Sequence, residues 1–185
     1  MCPIYLRDDT GFRHAPTYIN YIPGWMETEE LKWLYLAAQG MSSIVEVGSW
    51  KGKSTDALLS GCEGIVWAVD HFKGSEAERD GDHREALKRD ISKVFIENVG
   101  HHKNLVLLKM DSLEAVKRFA NKSVDMVFID GGHEYEEVKA DIEAWLPKTK
   151  KLICGHDYGG EIKQAAHEIF GTKINTMQSI WMKTI

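Results

Sequence analysis

From Met41 onward two hydrophobic patterns alternate along the chain. Short apolar runs rich in β-branched residues stand at 44–47, 65–69, 105–108, 124–129 and 152–154, and read as buried strands. Between them, apolar residues recur at helical spacing: Leu87, Ile91, Val94 and Phe95; Leu113, Val116 and Phe119; Tyr135, Val138, Ile142 and Trp145; then Ile162, Ala165, Ala166, Ile169 and Phe170. A further stripe, Leu31, Leu34, Tyr35 and Ala38, precedes the first run, with Thr28 placed to cap it, Glu29 and Glu30 in its first turn and Gly40 to end it. The tail, 173–177 and 179–184, reads as a terminal hairpin. Strands alternating with helices dictate βαβ units with right-handed crossovers, hence an α/β fold with a doubly wound, mostly parallel sheet in three layers. In such sheets a ligand binds beyond the carboxyl ends of the strands.

The chain has 185 residues, room for one domain. That domain is assigned to 27–185. Residues 1–26 are irregular, carry Pro3, Pro16 and Pro23 with Tyr5, Phe12, Tyr18, Tyr21 and Trp25, and form an N-terminal arm. The arm serves as a lid over a small molecule or as a packing or dimer contact, which leaves a homo-oligomer open. Lys plus Arg number 23 against 28 Asp plus Glu, a formal net charge of −5, which argues against a nucleic-acid partner. No apolar run reaches the roughly 18 residues of a membrane span, and the start of the chain has no apolar signal-peptide core. A cytoplasmic protein without a membrane partner is expected. Cys2, Cys62 and Cys154 are too scattered for a disulfide framework or a thiolate zinc site.

Acids cluster where the ligand should be. Glu46 lies within the first run; Asp70, Asp111, Asp130 and Asp157 follow the second to fifth. Helix capping explains some of these, Asp111 before Ser112 most readily, but five acids on one edge exceed what capping needs. The first strand leads into Glu46-Val-Gly48-Ser49-Trp50-Lys51-Gly52-Lys53-Ser54-Thr55, a glycine-rich turn that lets backbone approach a ligand at a helix N-terminus. It is one residue short of a phosphate-binding P-loop, although 127–130 could act as that fold's acidic strand. Trp50 stands where a dinucleotide turn needs its middle glycine. A nucleoside without phosphates needs only a tight turn near its charged tail and an acid on its ribose, and S-adenosylmethionine is such a ligand.

The order Glu46-x-Gly48-x-x-x-Gly52, Asp70, Asp111-Ser112 resembles the cofactor motifs of class I S-adenosylmethionine-dependent methyltransferases over roughly 25–158. Gly24-Trp25-Met26, the stretch 45–55 and Phe128-Ile129-Asp130-Gly131-Gly132-His133 resemble methyltransferase family 24, related to metal-dependent O-methyltransferases. The resemblance implies a Rossmann-like domain acting on a small-molecule hydroxyl. Gly48, Ser49, Trp50 and Gly52 would line the methionine portion, with Ser54 and Thr55 opening the helix beneath. Glu46 would approach the cofactor's tail or order the turn. Asp70 would take both ribose hydroxyls, His71 and Phe72 would flank the adenine, and Asp111 with Ser112 would approach its amino group. A degenerate P-loop hydrolase and a non-catalytic binding module of the same fold are the competing readings.

If the fourth and fifth strands are neighbours, as in this architecture, Asp130 and Asp157 lie about 4.8 Å apart. Two carboxylates so close need a shared proton or a cation between them. A divalent ion, Mg²⁺ first and Mn²⁺ next, answers that need, and the matching positions of metal-dependent relatives hold one. His156 is either a third ligand, which would admit softer ions, or a support behind the ligands. His133, free to turn in after Gly131 and Gly132, is the candidate general base, with Asp130 the second catalytic group. Tyr135 reads as packing, His101 and His102 as a favourable helix-end pair, and 73–84 as a solvated loop.

Overall fold

The computed structural model describes residues 21–74 and 82–185. Most of the N-terminal arm and most of the 73–84 loop therefore lie outside the described residues. The five sequence-predicted strands form as β1 (Ser43–Val47), β2 (Ile65–Val69), β3 (Leu105–Leu108), β4 (Val124–Ile129) and β5 (Thr149–Gly155), and the tail hairpin as β6 (Asn175–Met177) and β7 (Ile180–Thr184). Their order is β3-β2-β1-β4-β5-β7-β6. The first five are mutually parallel; β7 runs antiparallel to β5 and β6 antiparallel to β7. The chain winds outward from β1 in one direction and from β4 in the other. The switch point, where a ligand finds an open crevice, therefore falls between those two strands.

Alternation along each strand divides the core. Ile44, Val66, Met126, Phe128 and Cys154 face one layer of helices, α1 (Thr28–Ala38), α2 (Lys53–Gly61) and α3 (Ile91–Val99). Val45, Val47, Val127, Ile129 and Ile153 face the other, α4 (Ser112–Ala115), α5 (Tyr135–Trp145) and α6 (Gly160–Phe170). Leu34, Ile91 and Phe95 seal the first layer and Ile142 and Trp145 the second, all fully buried. Each such side chain contributes roughly 1.5–3 kcal/mol by leaving water.

Three local expectations are corrected. The cap of α1 is Glu27, not Thr28: Glu27 and Glu30 form a capping box in which Glu30 accepts the Glu27 N–H. The stripe beginning at Leu87 is broken. Leu87 ends a 3-10 turn (Asp82–Leu87) and is 66% exposed, and α3 starts afresh where Asp90 accepts the Ser92 N–H. The Leu113–Phe119 stripe yields only α4 and a following 3-10 turn (Val116–Arg118).

Candidate active site

The parallel ladder continues one residue past the strands. Gly48 N donates to Val69 O, Asp70 N to Leu108 O, Asp130 N to Val47 O and His156 N to Ile129 O. Four of the residues singled out in sequence are thereby fixed by the sheet itself along its carboxyl edge. They border a cleft of about 800 Å³, within the range of small-molecule sites. Trp50, Phe72 and Asp157 adopt positive φ (45°, 60° and 53°), a region costly to residues with a Cβ. Two of them line the cleft, where such strain is usually retained for function.

On the β1–β2 side, the turn from Gly48 to Gly52 has both glycines at positive φ (85° and 93°). A Cβ on Gly48 would stand 2.1 Å from the backbone oxygen of Asp130, so only glycine permits the β1 and β4 exits to touch. Asp70 organises this turn. Its Oδ2 accepts the Ser49 and Trp50 N–H groups at 3.0 and 2.7 Å, and its Oδ1 accepts the Phe72 N–H at 2.5 Å. The amides that a phosphate-binding turn would offer are thus occupied by a carboxylate, whose charge repels phosphate. This removes the physical basis of the P-loop reading. It also limits what Asp70 has left to offer a ribose. With two lone pairs per oxygen, Asp70 retains one for a hydroxyl donor, not two.

Glu46 is fully buried on the α2 side of β1. Thr55 Oγ1 donates to its Oε2 at 2.5 Å, while Oε1 is buried without a hydrogen-bond partner. Burial pushes its carboxyl up to about 7, and the neighbouring hydroxyls of Thr55, Ser54 and Ser49 offset only part of that. An orphaned acceptor beneath the turn fits a cofactor whose tail carries an ammonium group. Ser49, Trp50 and Ser54 line the cleft, whereas Gly52 and Thr55 support the turn from below. Phe72 does not border the cleft: it is buried against Phe95, ring centres 5.4 Å apart. His71 borders the cleft, its Nδ1 accepting the Lys73 N–H.

Across the cleft, Asp111 caps α4 by accepting the Leu113 N–H, and Ser112 Oγ accepts the Trp145 indole N–H at 2.8 Å. Behind them Asp141, missed in sequence, is buried; loss of solvent, partly offset by the Ser112 hydroxyl, pushes its carboxyl up to about 6. Asp141 and Glu137 face the cleft one turn apart on α5. That spacing was visible in the sequence, but nothing distinguished them from a solvated helix face.

The fourth group joins Asp130, His133, His156 and Asp157. His133 Nε2 lies 3.0 Å from Asp157 Oδ2. His156 Nδ1 lies 3.2 Å from Asp157 Oδ1 and 3.5 Å from Asp130 Oδ1. Burial would lower His156, but hydrogen bonds to Asp130 and Asp157 outweigh it and push the imidazole up to about 11. Asp130 is raised by burial, which its contacts with His156 only partly offset. Asp157 is held far below the usual carboxylate range by its bonds to His133 and His156. His156 thus stands against both neighbouring acids, which favour the charged form of its imidazole.

The same three donors also suit a metal. Ligands at right angles on an ion with bonds of about 2.1 Å lie about 3.0 Å apart, close to the separations above. The distal nitrogen of His156 is held by a carboxylate, as metal-bound imidazoles usually are: Nε2 lies 3.1 Å from Glu30 Oε2. Glu30 is itself fixed by Ser179, whose N–H and hydroxyl both donate to Oε1. Glu30 and Ser179 escaped the sequence reading because their partner is far away along the chain. At the mouth, Pro23–Met26 border the cleft, with the Trp25 and Trp50 rings 6.3 Å apart and Lys53 Nζ donating to Gly24 O.

A family model described as a methyltransferase domain, numbered 24 among such domains, matches residues 45–158. The chain is 32% identical over 124 residues, 62% of its length, to an uncharacterized protein, y4gI, of Sinorhizobium fredii; the match spans only 13% of that protein. Among solved structures it resembles the O-methyltransferase of Bacillus cereus in complex with S-adenosylhomocysteine, at 19% identity and a TM-score of 0.59 over 89% of this chain and 84% of that one. It also resembles CalS11, the TDP-rhamnose 3′-O-methyltransferase of calicheamicin biosynthesis, at 16% identity and a TM-score of 0.53 over 84% and 76%. At these identities the structural likeness concerns the fold. Among the described residues, no helix is long and apolar enough to cross a membrane.

Proposed function

The chain belongs to methyltransferase domain family 24, and from that premise we propose that it moves the methyl group of S-adenosylmethionine to a hydroxyl oxygen of a small molecule, with a divalent ion held by Asp130, His156 and Asp157. The observation that carries this reading is the division of labour on Asp157. Its Oδ2 orients His133 while its Oδ1 faces His156 and, through it, Asp130. A base and a cation-binding set thus share one carboxylate just beyond β5, beside the exit of β4.

The residues' work follows from their geometry. His133 borders the cleft with its Nε2 against the Asp157 carboxylate, and the imidazole so oriented would take the acceptor's proton, as in other base–carboxylate pairs. Glu46 and the turn from Gly48 to Gly52 would hold the amino-acid tail, and Asp70 one ribose hydroxyl. Bound S-adenosylmethionine supplies the methyl carbon: the acceptor oxygen forms a bond to it while the carbon–sulfur bond breaks and its electron pair returns to sulfur. The ion would lower the acceptor's pKa, and a nitrogen among its ligands favours Mn²⁺ over Mg²⁺. Little charge is created in the transfer itself, so deprotonation and positioning carry the catalysis. A cytoplasmic setting belongs to the same proposal.

The test is methyl transfer from labelled S-adenosylmethionine to a panel of catechols, sugars and other alcohols with Mn²⁺ or Mg²⁺. Label in an ether product, lost in His133→Ala, supports the reading. Label on nitrogen or carbon products, or none across the panel, overturns it.

A further inference from the structure

Outside the cleft lining, three ligating side chains converge without a role in the chemistry above. Asp56, in the first turn of α2, is 4% exposed. His101 and His102 follow the end of α3, where His102 N donates to Val99 O and closes a tight turn. That turn sends both imidazoles to one side: their ring centres are 4.3 Å apart, with planes 35° from parallel. His102 Nε2 lies 2.9 Å from Asp56 Oδ1, and one ligand atom from each of the three residues falls within 4.8 Å of the others.

We propose that Asp56, His101 and His102 form a second metal site, of the zinc class, separate from the Asp130 centre. Two nitrogens and one carboxylate oxygen are a common zinc donor set, completed by water. Two imidazoles on one tetrahedral zinc, with bonds of about 2.1 Å, would hold their ring centres about 5.3 Å apart. The observed stack, at 4.3 Å, would open by about 1 Å through side-chain rotation to take the ion. A helix-end charge effect accounts for one histidine near the last carbonyls of α3. It does not account for two rings stacked towards a buried carboxylate on another helix.

The site's place gives it a use. Asn98 Nδ2, at the end of α3, donates to Lys51 O in the glycine turn, and a Cβ on Gly52 would strike Val99. Asp56 N donates to Gly52 O. An ion joining Asp56 to the residues after α3 therefore braces the turn that faces the cleft from its outer side. This consequence rests on the proposed cofactor role of the turn; the ion's binding does not.

The experiment uses the full chain freed of metal by a chelator, with Zn²⁺ titrated in competition with a chromophoric chelator. The Asp130→Ala/Asp157→Ala double variant removes the first centre. It should bind one equivalent of zinc, and adding His101→Ala should weaken that binding by at least about tenfold. His101 is exposed, so its replacement leaves the fold intact by circular dichroism. If the double variant does not fold, the same comparison is made in the wild-type background, where His101→Ala should remove one equivalent of tightly bound zinc. Zinc binding unchanged by His101→Ala in a folded protein overturns the site, whether or not the chain transfers methyl groups.

Discussion

Glu30 Oε2 lies 3.1 Å from His156 Nε2, joining the first helix to the end of β5 across 126 residues of sequence. Both side chains are buried. Burial would raise Glu30, but the Ser179 hydroxyl, the Glu27 N–H and His156 together keep its carboxyl below the ordinary value. A charged acid behind the ring holds the proton on Nε2 and turns Nδ1 towards Asp130 and Asp157. Glu30→Gln keeps the shape and removes the charge. It should weaken Mn²⁺ binding about 10- to 100-fold, as loss of such supports does elsewhere, while Glu29→Gln on the exposed face should not. Titration followed by electron paramagnetic resonance reads both; equal affinity in the two variants would make Glu30 a purely structural residue.

Gly48 and Gly40 both have positive φ (85° and 73°), yet their surroundings differ. Nothing lies within 4 Å of a Cβ on Gly40. Gly40→Ala should therefore cost only the conformational penalty, about 1–2 kcal/mol. Gly48→Ala adds a collision with the Asp130 backbone and should cost at least twice that, with loss of S-adenosylhomocysteine binding. Paired thermal melts and calorimetry check the contrast; equal melting temperatures would mean the β1 and β4 exits are not held in contact.

Glu46 sets a pH dependence of stability. Its folded pKa is about 7 against an ordinary value of 4.5. Between those values the native state keeps a proton that the unfolded state has released. Stability is thus full below about pH 4.5 and falls as pH rises to about 7, by on the order of 3 kcal/mol. Glu46→Gln removes this loss, so the variant should gain on the wild type between pH 5 and pH 8. Urea denaturation at the two values tests the sign; a variant that loses ground as pH rises contradicts it.

His133 separates chemistry from binding. His133→Gln should lower kcat by about 10²–10⁴, the usual contribution of a positioned base. It should leave S-adenosylhomocysteine affinity within about twofold, since the adenosine and methionine sides are built by other residues. An unchanged kcat would place the base elsewhere.

The strand runs and the acids behind them were legible because a parallel sheet writes its core as short apolar words and fixes the next residue in the ladder. Asp70, Asp130 and Asp157 could thus be assigned to one edge before any coordinates. What Asp70 does there could not, because its three amide donors come from a turn conformation that spacing alone does not specify. Phe72 carried no sign that its ring turns down against Phe95. Leu87 kept helical spacing with α3, but Asp90 restarted the helix by binding the Ser92 N–H. Glu30 looked like an ordinary first-turn acid, and only the docking of the terminal hairpin, which brings Ser179 against it, reveals its place.

This cleft is built to bind a nucleoside with a cationic tail and to reject nucleoside phosphates, because Asp70 already occupies the amides of the glycine turn. Isothermal titration of the full chain with S-adenosylhomocysteine and with ATP is the most direct measurement. One equivalent of S-adenosylhomocysteine should bind, weakened at least about tenfold by Asp70→Ala, and ATP should give no heat. ATP binding without S-adenosylhomocysteine binding would contradict it.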